Sequence, residues 1–134
     1  MPISQTTPPD AHALLAAHPD AVYLDVRTEP EFEAGHPAGA LNVPVVRVDA
    51  AGRPAPNATF AADVERLVPR TTKVVVGCQA GGRSQRACEL LAVAGWTDLT
   101  NVQGGFGGGR DAAGRPVPGW RAAGLPVESG PARS

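Results

Sequence analysis

The sequence has few cysteines, few aromatic residues and no long apolar run, and each shortage excludes a class of protein. Two cysteines are too few for a disulfide scaffold, and the three histidines form no metal-site spacing with them. We therefore predict two free thiols and no metal site. No apolar run approaches the roughly 20 residues of a membrane span. The segment 1–5 lacks the basic and apolar parts of a secretory signal, so we expect a cytoplasmic protein with no membrane partner.

The charge is nearly balanced, which excludes partners that need a strongly basic protein. Twelve Lys and Arg against 13 Asp and Glu leave a formal net charge of -1. We therefore expect no nucleic-acid partner and no polybasic membrane patch. A chain of 134 residues predicts a single domain, 1–134. Its 16 glycines and 14 prolines predict long, turn-rich connections rather than low complexity.

Short apolar runs alternate with helical patterns along the chain. A helix is expected after Thr7, whose side chain can cap it. Strands and helices that alternate favour a mostly parallel sheet covered on both faces, which is an α/β fold. The predicted strands are 21–26, 41–43, 73–77 and 99–102; the further helices are 29–34, 60–68 and 83–94; the predicted loop is 45–59, the flexible stretch 104–119, and the disordered tail 129–134.

The most informative segment joins the strand 73–77 to the helix 83–94. Ligands of open parallel sheets bind beyond the carboxyl ends of the strands. A glycine pair there lets successive N–H groups point inward as an anion-binding nest, and the helix N-terminus adds its positive dipole end. A cysteine at the rim of such a cradle should exist largely as thiolate, so we predict that this loop binds an anion and attacks it with sulfur. The segment reads Val76-Gly77-Cys78-Gln79-Ala80-Gly81-Gly82-Arg83-Ser84.

Other polar residues near predicted strand ends have alternative roles. Arg27 follows a strand at the same sheet edge and could bind the donor, but the favoured alternative is that Asp25 and Arg27 pair with neighbouring groups and hold the loop. His36 follows Gly35 in a turn, which favours a structural hydrogen bond over a catalytic base. Cys88 lies on the apolar side of a helix and is interpreted as a small buried hydrophobic residue.

The cysteine segment resembles the active loop of single-domain rhodaneses, the thiosulfate sulfurtransferase-like family. Two more parts of the chain carry the resemblance, which spans roughly residues 3–128, the expected core. They are the stretch from Asp25-Val26-Arg27 to Asn42-Val43-Pro44, and Asn101-Val102-Gln103-Gly104-Gly105 together with Gly124-Leu125-Pro126-Val127. The resemblance implies a five-stranded parallel sheet with helices on both faces, and a cysteine that carries a persulfide.

One feature departs from the family pattern, and another separates the chain from related enzymes with a different chemistry. The family usually has a tryptophan about three residues after the glycine pair. Here Phe106 follows the pair and Trp120 comes after a glycine-rich insertion, 104–119, of unassigned role. Related phosphatases and arsenate reductases place five residues between cysteine and arginine, whereas Cys78 and Arg83 are separated by four. The shorter loop predicts a cradle centred on one sulfur atom rather than on a phosphate.

The resemblance implies that Cys78 is the catalytic nucleophile of a thiosulfate:cyanide sulfurtransferase. The thiolate would take the outer sulfur of thiosulfate and pass it to cyanide or a thiol, without metal or organic cofactor. The alternatives are a persulfide carrier that serves a protein acceptor and, with less support, a cysteine-dependent phosphatase or arsenate reductase-like enzyme. The residues expected to bind the substrate are Gln79, Ala80, Gly81, Gly82, Arg83, Ser84 and Arg27.

Overall fold

The structure, a computed structural model, describes residues 3–132 and consists of a parallel sheet with helices packed on its two faces. Five strands form the sheet in the order β1-β8-β7-β2-β4, and each neighbouring pair is parallel. Three two-stranded pairs, β3 with β11, β5 with β6 and β9 with β10, lie outside it. In chain order the elements are β1 (Ser4–Thr6), α1 (Pro8–Ala17), β2 (Val22–Asp25), α2 (Glu29–Ala34), β3 (His36–Pro37), β4 (Leu41–Asn42), β5 (Val46–Val48), β6 (Pro54–Pro56), α3 (Phe60–Glu65), β7 (Val74–Gly77), α4 (Gly82–Val93), β8 (Leu99–Val102), β9 (Gly109–Arg110), β10 (Pro116–Val117) and β11 (Val127–Glu128).

Alternation along the central strands divides the core into two layers. On β7, Val74 and Val76 face the layer that α3 and α4 cover, whereas Val75 faces the layer that α1 and α2 cover. All three valines are fully buried, and burial of such a side chain contributes roughly 1.5–3 kcal/mol. The predicted five-stranded parallel sheet with helices on both faces is therefore confirmed.

The N-terminal segment differs from the sequence-based expectation in two ways. Residues Ser4–Thr6 form an edge strand that the sequence analysis did not assign, because their pairing with Thr100–Val102 rather than an apolar pattern defines the strand. Thr7 occupies the N-cap of α1, but its side chain makes no capping hydrogen bond. Pro8 and Pro9 follow it and carry no N–H group, which removes donors that such a cap would bind.

Two segments predicted as irregular are more ordered than expected. Within 45–59 the strands β5 and β6 form an antiparallel ribbon, so the prediction of a plain loop is wrong there. The stretch 104–119 contains the paired strands β9 and β10, and Phe106 and Val117 within it are buried, whereas its predicted flexibility stays a prediction. The sequence analysis missed these strands because proline and glycine interrupt any apolar pattern in both segments.

The C-terminal segment returns to the body of the protein. Val127–Glu128 pairs with His36–Pro37, and the Gly130 N–H donates to the Glu33 carbonyl at 2.8 Å. The disordered tail predicted for 129–134 stays a prediction, and its last two residues lie outside the described residues. Across residues 3–132, no helix is long and apolar enough to cross a membrane.

Candidate active site

The loop between β7 and α4, residues 78–81, lies at the carboxyl edge of the sheet. Strand β7 ends at Gly77. Glycine is needed there for space rather than for backbone conformation, because the Tyr23 hydroxyl occupies the position that a Cβ would take. The chain then turns at Gly81, whose φ of 123° is strongly unfavourable for residues with a side chain. Helix α4 begins at the next residue, so its unpaired first N–H groups face the loop.

The sulfur of Cys78 lies against this backbone rather than at an open rim. The Gly81 N–H donates to Cys78 Sγ at a distance of 3.0 Å. Cys78 is only 2% exposed, so the cysteine predicted at the rim of the cradle is buried rather than open to solvent. A backbone donor and a helix N-terminus next to sulfur can stabilise negative charge on that sulfur.

The segment 104–109, here called the glycine segment, runs beside the loop and fixes its carbonyl groups. The N–H of Phe106 donates to the carbonyl of Cys78 at 2.8 Å, and the N–H of Gly107 donates to that of Gln79 at 2.9 Å. A Cβ at Gly105 or Gly109 would collide with a carbonyl of the loop. These contacts fix the direction of consecutive loop carbonyls, in the same loop whose Gly81 N–H reaches the sulfur.

Arg27 lies beneath the loop in a buried cluster. Its guanidinium pairs with Asp25, with 2.8 Å between Nη2 and Oδ2, and donates to the Gly35 carbonyl at 2.7 Å. It also donates to Gln79 Oε1 at 3.2 Å and lies 4.5 Å above the centre of the Phe106 ring. This arrangement is the alternative that the sequence favoured, in which Arg27 holds the loop. A direct contact of Arg27 with the donor stays a prediction.

Arg83 lies at the entrance of α4 and is bound by a carboxylate that the sequence analysis did not connect with it. Its two terminal nitrogens donate to the two oxygens of Glu31, at 2.7 and 3.0 Å. The hydrogen bonds from Arg83 lower the pKa of Glu31 to about 2. The same bonds raise the pKa of Arg83, and the nearby charges of Cys78 and Asp25 raise it further. The predicted cradle cation is present, but it is already paired.

The only sequence signal at Glu31 is local. Thr28 and Glu31 form a capping box at the start of α2, which a Thr-x-x-Glu pattern predicts. Nothing in that pattern points to Arg83, which is 52 residues away.

Ser84, at the start of α4, has structural contacts with the loop and with the sheet. Ser84 is fully buried, and its hydroxyl lies 3.1 Å from the Gly81 carbonyl and 2.5 Å from Asn101 Oδ1. Asn101 in turn donates to Gln5 Oε1 at 2.9 Å. This chain of bonds ties the first turn of α4 to β8 and β1. Ser84 therefore supports the loop from below, and its predicted contact with substrate stays a prediction.

The aromatic and histidine side chains divide between the loop and the core. Phe106 borders the loop, between the guanidinium groups of Arg27 and Arg121. Trp120 is 1% exposed and packs edge-on against Tyr23, so it belongs to the core. His36 stacks on Phe32 at 3.6 Å and its Nδ1 lies 2.7 Å from the Phe32 carbonyl, which is the structural role that the sequence favoured.

The second cysteine lies in a different environment from the first. Cys88 is fully buried among apolar side chains between α4 and the sheet. Burial raises the pKa of its thiol to about 12, which keeps it protonated at neutral pH. Both cysteines are free thiols. Among residues 3–132, no group of three or more His, Cys, Asp or Glu side chains is placed to hold a metal ion.

The insertion 104–119 contributes a wall of the site region. Its hairpin places Arg110 and Asp111 across a groove of about 460 Å³ from the loop residues Ala80, Gly81 and Gly82. Arg110 is exposed and donates to the Gly114 carbonyl at 2.8 Å, which closes the hairpin. The insertion is thus a structured neighbour of the cysteine loop.

Comparisons with known proteins agree with this geometry. The family model described as "Rhodanese-like domain" matches residues 7–112. The chain is 42% identical over 93 residues to Thiosulfate sulfurtransferase 16, chloroplastic, of Arabidopsis thaliana, which covers 69% of this chain and 74% of that protein. It is 32% identical over 98 residues to Thiosulfate sulfurtransferase GlpE of Pseudomonas fluorescens, covering 73% of this chain and 78% of that protein.

A solved structure matches nearly the full length. The crystal structure of Rv0390 from M. tuberculosis superposes with a TM-score of 0.78 and 34% identity, over 97% of this chain and 100% of that one. Several other curated plant relatives are longer, and the chain spans about half of their length.

Proposed function

The chain belongs to the rhodanese-like domain family, whose members include thiosulfate sulfurtransferases, and we propose that it is itself a thiosulfate sulfurtransferase with Cys78 as nucleophile. One observation carries the proposal. Cys78 Sγ accepts the Gly81 N–H at 3.0 Å within a short loop at the head of α4. This is a backbone cradle for one negatively charged sulfur atom.

In the first half-reaction the Cys78 thiolate attacks the outer sulfur of thiosulfate. A new S–S bond forms while the original S–S bond breaks, and sulfite leaves with the bonding electron pair. The product is a persulfide, Cys78–S–S⁻, whose terminal sulfur carries the negative charge. We expect the Gly81 N–H, which already donates to Cys78 Sγ, and the first N–H groups of α4 to stabilise that charge.

In the second half-reaction a nucleophile removes the terminal sulfur. Cyanide attacks that sulfur, the S–S bond breaks, thiocyanate leaves and the Cys78 thiolate is regenerated. A thiol acceptor would take the sulfur in the same way and become a persulfide. Two half-reactions through a covalent intermediate predict ping-pong kinetics.

The space within the loop supports sulfur rather than phosphate as the transferred group. Four residues separate Cys78 and Arg83, and the glycine segment fixes the loop carbonyls of Cys78 and Gln79. Arg83 is also paired with Glu31, so it is not a free cation for a phosphate. These features are our reasons for placing sulfur transfer above phosphatase chemistry.

The first test is the mass of the intact protein after incubation with thiosulfate. We expect a gain of one sulfur atom, which cyanide then removes as thiocyanate. The Cys78→Ser protein is the matched control and should gain nothing, because a hydroxyl cannot form the persulfide. A wild-type protein that gains sulfur from a low-molecular-weight persulfide, but none from thiosulfate, would instead be a sulfur carrier.

A further inference from the structure

The Glu31–Arg83 ion pair places a negative charge next to the positive charge beside the cysteine loop. Arg83 is the one basic residue of the segment 78–84. Both of its terminal nitrogens already donate to Glu31, which occupies the bidentate face that an oxyanion would use. Arg83 is the second residue of α4 and directly follows the loop whose Gly81 N–H binds the Cys78 sulfur, and the charge of Cys78 contributes to raising the pKa of Arg83.

The carboxylate is held in place from its other side. Glu31 Oε1 accepts the Thr28 N–H at 3.1 Å and the Thr28 hydroxyl at 2.9 Å. Because α2 is capped by these bonds, Glu31 cannot follow Arg83 toward a ligand without breaking its cap. A donor that reaches Arg83 therefore also approaches a fixed negative charge.

The pair remains accessible to solutes. The side chain of Arg83 is 31% exposed and that of Glu31 is 34% exposed. By contrast, the Asp25–Arg27 pair below the loop is almost completely buried, at 2% and 3%. Of these two ion pairs, Glu31–Arg83 is therefore the one whose charges are open to solvent.

From this geometry we propose that Glu31 determines donor specificity by charge, disfavouring doubly charged donors such as thiosulfate relative to singly charged sulfane donors. The proposal rests on the proposed sulfur transfer at Cys78. Attraction to Arg83 and repulsion from Glu31 both grow with the negative charge of the donor. Because the two terminal nitrogens of Arg83 already donate to Glu31, the donor gains little attraction to offset the repulsion. Removal of the Glu31 charge should therefore help a dianion more than a monoanion.

The sharpest variant is Glu31→Gln. Glutamine at this position still completes a capping box, so α2 keeps its start while the negative charge is lost. Thiosulfate and methanethiosulfonate carry the same transferable sulfur but differ by one negative charge, which makes them a matched pair of donors. Stopped-flow measurement of persulfide formation gives the second-order rate constant for each.

We expect Glu31→Gln to raise the rate constant for thiosulfate by roughly fivefold and that for methanethiosulfonate by less than half as much. The control is Glu29→Gln, since Glu29 lies on the same helix and pairs with Arg47 at 2.8 Å. That variant should change neither rate constant. Equal changes for the two donors, or losses for both, would overturn the proposal and leave Glu31 as a support for Arg83.

A binding experiment separates this proposal from the proposed function. In the Cys78→Ser background no sulfur is transferred, and titration calorimetry measures thiosulfate binding alone. Addition of Glu31→Gln should tighten that binding by roughly fivefold. Tighter binding together with a wild-type protein that forms no persulfide would refute sulfur transfer and support the role of Glu31. Unchanged binding would overturn the role of Glu31, whether or not the persulfide forms.

Discussion

Cys78 and Cys88 belong to one strand–loop–helix unit and are both buried, yet their surroundings differ. Cys78 Sγ receives a backbone N–H where a loop meets a helix N-terminus. Cys88 lies inside the same helix among apolar side chains, and burial raises its pKa to about 12. Both cysteines are buried, so burial does not distinguish the proposed nucleophile from the other thiol. What separates them is the presence of oriented backbone donors, which can stabilise a charged sulfur without water.

The largest expected effect contrasts the two thiols directly. Cys78→Ser should abolish sulfur transfer because the persulfide cannot form. Cys88→Ala should keep most of the activity and lose about 1 kcal/mol of stability from reduced packing. Thiocyanate release and urea unfolding of both variants measure the two effects. Loss of turnover in a folded Cys88→Ala protein would contradict a single-thiol mechanism.

The next largest effect should come from Arg83→Ala. The variant removes the positive charge beside the loop and leaves the Glu31 carboxylate unpaired there, so persulfide formation from the dianion thiosulfate should slow by roughly 10–100-fold. Stopped-flow rates of persulfide formation from thiosulfate, compared with discharge to cyanide, separate the half-reactions. Arg86→Ala is the control, since Arg86 lies one turn further along α4, pairs with Glu89 and is 67% exposed. Impaired discharge with unchanged formation would show that Arg83 serves the acceptor.

A smaller effect should follow when the glycine segment is pushed away from the loop. A Cβ at Gly109 would collide with the Ala80 carbonyl, so Gly109→Ala should displace the loop donors and slow persulfide formation roughly tenfold. Gly114→Ala is the control, because Gly114 has a φ of 79° but open space around its Cα. It should cost stability without changing the rate. Similar rates in the two variants would show that the glycine segment does not position the loop.

The smallest effect concerns the pH dependence of stability. The pKa of Glu31 is about 2 in the folded protein against an ordinary value of 4.5, so its ion pair stabilises the fold above about pH 4.5. That contribution is lost as the pH falls toward 2, where the carboxylate becomes protonated. Because the pair is one-third exposed, solvent screening limits it to about 1 kcal/mol.

Urea unfolding of wild type and Glu31→Gln between pH 2 and 7 tests this contribution. The difference in free energy of unfolding should be constant above about pH 4.5 and disappear near pH 2. A difference that persists unchanged at pH 2 would show that the carboxylate contributes through packing rather than charge.

Much of the fold follows from patterns that are local in sequence. The run around Val75 is apolar without alternation, as expected of a strand buried on both faces, and the structure places it in the middle of the sheet. The start of α2 follows from its capping box. Edge strands such as Ser4–Thr6 were missed because their own sequence is polar and only the neighbouring strand defines them.

The sequence by itself determined the cysteine loop, since a strand end, a glycine turn and a helix start are all encoded within 76–84. Only the tertiary structure decided which distant groups meet that loop. Glu31 reaches Arg83 from 52 residues away, and the glycine segment binds the carbonyls of Cys78 and Gln79. Local patterns specify backbone conformation because they depend on nearest neighbours along the chain. Partners of side chains and carbonyls depend instead on how separate elements pack against one sheet, which no single segment encodes.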